Sequence, residues 1–226
     1  MGCSQAGQPT GLSLLFFSTT MASESRYNIL KKIRSALAQP LPMPFPEAGA
    51  GPLPVQPQQQ DLVVTFAEQF NALGGKFSYC NSNMELVIAL NNLYEQRDWT
   101  KIFVADPALS QLTPPGLWTD DIVTCDAALT TCEALVARTG SMMLSSANSG
   151  RITSVYTPVH ICIAHSIQLV YDIQDALQLV QEKYNGTLPS SLSLATGPSR
   201  TADIEKTLVV GVHGPKEVYC FLVDEQ

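Results

Sequence analysis

Several things are missing from this 226-residue chain, and each absence removes a class of function. No two of its six cysteines stand as Cys-x-x-Cys, so iron–sulfur and zinc-ribbon sites lack their ligand spacing, and no metal or cofactor is expected on this chain. Histidines number three, too few and too dispersed for a shared metal centre: His160 and His165, five apart on a strand-like run, point to opposite faces. There is no Gly-x-Gly-x-x-Gly, no Walker loop and no Gly-x-Ser-x-Gly elbow. Uninterrupted apolar runs fall short of the ~18 residues of a spanning helix. Positive charge is scarce: 13 Lys and Arg face 20 Asp and Glu, and a net charge of −7 disfavours nucleic acid, which needs a basic footprint.

What is present is unevenly distributed. Residues 1–20 carry no charge, and 21–60 carry Arg26, Lys31, Lys32 and Arg34 against Glu24 and Glu47. The remaining 166 residues therefore hold nine cations and eighteen acids, a net −9. Residues 1–20 lack the basic flank and long apolar core of a secretory signal, and Met1-Gly2-Cys3 lacks the Ser or Thr that myristoylation needs at position six. Met21 makes the better start, so 1–20 read as a non-native or disordered extension. Residues 21–38 read as an amphipathic helix with Leu30, Ile33 and Leu37 on one side. Residues 39–60 hold seven of the fifteen prolines and read as an extended linker, leaving 61–226 as the folded domain. With no signal and with Cys80, Cys162 and Cys220 inside apolar runs, reduced thiols and a cytoplasmic location are expected.

Within 61–226 the periodicity alternates. Helices are expected from Leu62 to Leu73, ended by Gly74-Gly75, around Leu86 to Tyr94, and from a cap at Asp172. Strands are expected at 76–80, 101–105, 121–125, 141–145, 159–164, 191–196, 208–212 and 218–223. Strands alternating with helices give an α/β fold, a largely parallel sheet with flanking helices.

Three polar segments follow or open strands. Gly197-Pro198-Ser199-Arg200-Thr201-Ala202-Asp203 follows one strand and is expected to open a helical turn. A helix N-terminus there offers free N–H groups, and Arg200 a planar cation, to a small anion. An ordinary capped turn, with Arg200 pairing Asp203 or Glu205, fits the spacing equally. Gly211-Val212-His213-Gly214 brackets a histidine with glycines that permit positive φ or close approach, suiting a ligand anchor, an acid/base group or a plain turn. Thr139-Gly140-Ser141 leads into a strand and suits either close backbone approach to a ligand or a β-turn.

These segments resemble a known family. The run Thr196-Gly-Pro-Ser-Arg-Thr-Ala-Asp-Ile-Glu205 and the run Leu208-Val-Val-Gly-Val-His-Gly-Pro-Lys216 are similar to the LUD-domain (YkgG) family, which includes lactate utilisation protein C. Arg138-Thr-Gly-Ser141 and Thr157-Pro-Val-His160 resemble its earlier motifs. The resemblance covers 21–226. It implies a sheet of the NagB/RpiA/CoA-transferase-like type and an accessory place in L-lactate oxidation to pyruvate, alongside partners that carry iron–sulfur clusters. Related folds bind phosphosugars or acyl-CoA, which strengthens the reading of the Arg200 loop as an anion site. The alternative is a free-standing enzyme acting on an acyl-CoA or phosphorylated small molecule. One departure stands out: Arg138 occupies a position where the family often has Glu, so no catalytic acid is assigned there. The first prediction concerns translation: intact-mass measurement of the native protein is expected to show a chain beginning at Met21, and a mass that includes residues 1–20 overturns it.

Overall fold

A computed structural model describes residues 16–38, 58, 60–202 and 208–224. The chain divides into two units, Met1–Gln56 and Pro57–Gln226. In the first, helix α1 (Phe16–Leu37) covers the expected amphipathic segment but starts earlier, so Met21 lies inside a continuous helix. Tyr27, Ile29, Leu30, Ile33 and Leu37 are all exposed. Residues 1–15 and the proline-rich segment from 39 to 57 lie outside the described residues.

The second unit is α/β. Its central sheet has six strands in the order β1 (Lys76–Cys80), β12 (Glu217–Val223), β7 (Val159–His165), β4 (Ala127–Thr131), β2 (Ile102–Val104) and β3 (Trp118–Thr119). Every pairing in it is parallel. A parallel sheet needs cover on both faces, and its middle strands accordingly read as near-continuous apolar runs, as β7 and β12 do. On one face α3 (Asn83–Arg97) sets Leu86, Leu90 and Tyr94 against Ile102, Leu129, Ile161, Ile163 and Phe221. On the other face lie α2 (Leu62–Ala72) and a second sheet ordered β8 (Leu169–Val170), β5 (Ala134–Val136), β6 (Ser141–Ser145) and β9 (Leu192–Ala195). There Phe66, Phe70, Leu135, Met142 and Leu144 meet Cys162, Ala164, Val218, Cys220 and Leu222. Helix α5 (Ile173–Lys183) covers the far side of the second sheet through Ala176 and Val180. Each fully buried large side chain contributes roughly 1.5–3 kcal/mol.

The helix boundaries follow local chemistry. Asp61 Oδ1 accepts from the N–H groups of Val63 and Val64 and so starts α2. Ser82 caps α3, and Asp172 caps α5 in a reciprocal box with Asp175. The expected strand at 121–125 is not one. Asp121 accepts from Val123 N–H and Thr124 Oγ1, a local side-chain turn that competes with pairing, and the strand starts only at Ala127. The expected strand from Leu208 stops at Val210, because Gly211 turns with φ 79°. The second, mixed sheet and the hairpin of β10 (Arg200–Ala202) and β11 (Leu208–Val210) were not foreseen.

Gly140 shows how tightly the layers meet. It has φ +59°, and a Cβ there would stand 2.6 Å from Phe70 N. Gly140→Ala is expected to destabilise the domain by roughly 2–4 kcal/mol, combining left-handed strain and overpacking. Urea unfolding measures it, and a loss below about 0.5 kcal/mol overturns the contact.

Candidate functional site

The sequence-selected residues gather in two places. The first is the C-terminal end of α2. Ser141 Oγ lies 2.8 Å from Thr139 Oγ1 and 2.8 Å from Thr196 Oγ1, joining two of the polar segments. β6 and β9, paired antiparallel, bring these segments together. Gly197 follows with φ +77°, and a Cβ on it would lie 2.8 Å from Leu73 O. Arg200 Nη2 donates to that same Leu73 carbonyl. Gly140 and Gly197 therefore allow the second sheet and its loop to press on α2, and the Arg200 cation sits where the α2 dipole ends negative.

This corrects the expected helical turn after Gly197. Arg200–Ala202 is a strand, paired antiparallel with Leu208–Val210, and the strand before it, β9, is antiparallel to β6. Hence the described residues offer no helix N-terminus at Arg200. Thr201 pairs with Val209 within the hairpin. Asp203 lies outside the described residues.

The second gathering lies at the amino ends of β7 and β12. Ser199 N donates to Pro215 O at 2.9 Å, and Gly211 N donates to Ser199 O at 2.9 Å. A Cβ on Gly214 would meet Ser199 Cβ at 2.8 Å, so glycine is required for this close approach. Lys216 N bonds Pro158 O at 2.8 Å and ties the turn to the start of β7. Together these segments border a cleft of about 470 Å³ lined by Tyr156, Thr157, Val212, His213, Gly214 and Lys216, among others. Among the described residues, Lys216 is the one formally charged residue in that lining.

The opposite, carboxyl ends of β2, β4 and β7 border another cleft, of about 490 Å³, lined by Asp106, Thr131, Glu133, Asn148, His165 and Lys183, among others. This is the end where open parallel sheets bind their ligands. The Glu133 side chain is fully buried there. Its carboxylate accepts from Lys183 Nζ at 2.7 Å, from Tyr184 OH at 2.8 Å and from Ser145 Oγ. Burial by itself would raise its pKa, but bonds from Lys183, Ser145 and Tyr184 outweigh burial and hold the carboxyl below its usual value. The sequence reading missed Glu133. A signal existed: it is the one charged residue in the eleven from Ala127 to Ala137, and a buried carboxylate demands partners.

Arg138 pairs with Asp172, the cap of α5, and holds that carboxyl below its usual value. The two histidines of β7 point to opposite faces as expected: His160 is fully buried, and His165 borders the carboxyl-end cleft. His160 Nε2 lies 2.7 Å from Thr130 Oγ1, while its Nδ1 is buried with no partner. Cys80, Cys125, Cys132, Cys162 and Cys220 are free, buried thiols. Among the described residues, no three His, Cys, Asp or Glu side chains are grouped to hold a metal ion. Nor is any described helix long and apolar enough to cross a membrane.

Residues 116–223 match the family model described as LUD domain. The segments at 138–141, 157–160 and 196–216 that carried the resemblance all fall in that range. An uncharacterised protein of Neisseria meningitidis is 35% identical over 101 residues, 44% of this chain and 43% of its own length. Lactate utilization protein C of Shouchella clausii is 35% identical over 103 residues, 45% of each chain. That of Bacillus subtilis is 37% identical over 101 residues, 43% of this chain and 42% of the relative. The chain thus spans less than half the length of these curated relatives. A solved structure of a DUF162 family protein from Deinococcus radiodurans superposes with a TM-score of 0.56 at 19% identity, over 72% of this chain and 96% of that one. It shares the α/β fold.

Burial lowers the His160 pKa from its ordinary 6.5. The neutral ring is thus favoured in the fold, so His160 gives full stability above pH ~6.5 and the fold loses it as pH falls below that value. Urea unfolding at about pH 7.5 and about pH 5.5 is expected to show the loss, and His160→Gln to reduce the slope. An unchanged slope in the variant assigns the effect elsewhere.

Proposed function

We propose that this chain serves lactate utilisation as an accessory component that binds a small anion at the amino-end cleft. Two supports meet in this reading. Two of the relatives bear the name lactate utilization protein C. The observation that carries the site is the junction of Ser199 with Gly211–Lys216 around a cleft whose one formal charge, among the described residues, is the Lys216 cation. A carboxylate meets there an ammonium, the His213 ring and a glycine-shaped backbone. Thr139, Gly140, Ser141, Gly197 and Arg200 then act as the frame that holds this loop against α2. The chain takes up no cofactor of its own in this reading. Its partners are the iron–sulfur-bearing subunits of a cytoplasmic lactate-oxidising system.

The carboxyl-end cleft, with its buried Glu133 paired to a half-exposed Lys183, favours a second reading: a free-standing enzyme acting on an acyl-CoA or phosphorylated small molecule. Copurification from the host separates the two. Recovery with a cluster-bearing partner supports the first. Recovery alone with turnover of an acyl-CoA or sugar phosphate supports the second.

For the anion itself, calorimetry with L-lactate and with pyruvate is expected to show binding that Lys216→Gln weakens about 5- to 10-fold, as befits a partly exposed charge. Equal affinity in the variant removes Lys216 from the site.

A further inference from the structure

The amino-end cleft offers more apolar lining than a three-carbon acid can cover. Val123, Val155, Tyr156 and Val212 stand around it at 66, 55, 58 and 54% exposure. They come from three separate stretches of chain: the turn after β3, helix α4 (Thr153–Tyr156), and the turn after β11. Large apolar side chains brought together yet left more than half exposed form surface that water covers poorly and a ligand covers well. Among the described residues, Lys216 is the only formal charge in the lining and no carboxylate enters it. The volume of about 470 Å³ falls within the range of sites that enclose drug-sized ligands, and a three-carbon acid would leave most of it to water.

We infer that the amino-end cleft takes an amphipathic carboxylate: a carboxylate head at Lys216 and an aryl or medium-chain aliphatic body against Val123, Val155, Tyr156 and Val212. This rests on the anion-binding reading above and adds the class of body to it. The head supplies charge complementarity, and the body supplies most of the affinity, because apolar area removed from water adds in proportion to its size. Tyr156 offers the body an aromatic face.

The test uses three probes on the full chain by calorimetry: L-lactate, 3-phenyllactate, which keeps the same head and adds an aryl body, and 2-phenylethanol, which has the body without the head. 3-Phenyllactate is expected to bind at least ~10-fold more tightly than either of the others. Val212→Ser and Val155→Ser, both at exposed positions, are expected to cut that preference at least ~3-fold. Equal, Lys216-dependent binding of lactate and 3-phenyllactate overturns the inference and leaves the anion reading standing. No binding of any probe overturns both. A preference for 3-phenyllactate that neither valine variant reduces places the body elsewhere and also overturns the inference.

Discussion

Both faces of the six-stranded sheet must be kept from water, and most of the domain's architecture answers that need. Parallel strands joined by crossovers leave no face for solvent. Here one face is covered by α3, through Leu86, Leu90 and Tyr94, with Leu109 from the short helical stretch Pro107–Leu112 beside it. The other is covered by α2 together with a second sheet, which is itself covered by α5. Four layers result where a three-layer sandwich would be the simpler expectation. The extra layer brings the Thr139–Ser141 and Thr196–Arg200 segments onto the end of α2.

Glycine has a specific meaning in that arrangement. At Gly140 and Gly197 the missing side chain makes room for helix backbone, and at Gly214 for Ser199. The same residues that mark a ligand loop in a sequence can therefore mark a packing contact. Position distinguishes them: Gly214 borders a cleft, whereas Gly140 and Gly197 border α2.

The parallel core was legible because β7 and β12 are short, near-continuous apolar runs and β1 lies between the capped helices α2 and α3. The turn at Asp121 was hidden, because Asp-Ile-Val-Thr-Cys looks like a strand until the carboxylate is seen bonding its own backbone. The β10–β11 hairpin was hidden for a related reason: Arg200–Ala202 holds no apolar alternation, and its partner begins beyond a polar stretch. At the candidate site, Ser199 meets Gly214, and His213 lines the same cleft as Gly214. Glu133 and Lys183 stand fifty positions apart, and only folding makes them a pair.

The two clefts sit at opposite ends of the same strands. Six residues of β7 lie between Pro158, at the amino end, and His165, at the carboxyl end. At ~3.3 Å per residue that is roughly 20 Å of buried strand. Occupants of the two clefts would neither compete nor touch. Any influence of one on the other must pass as strain along a rod of paired backbone, so their binding free energies should add as those of independent sites do.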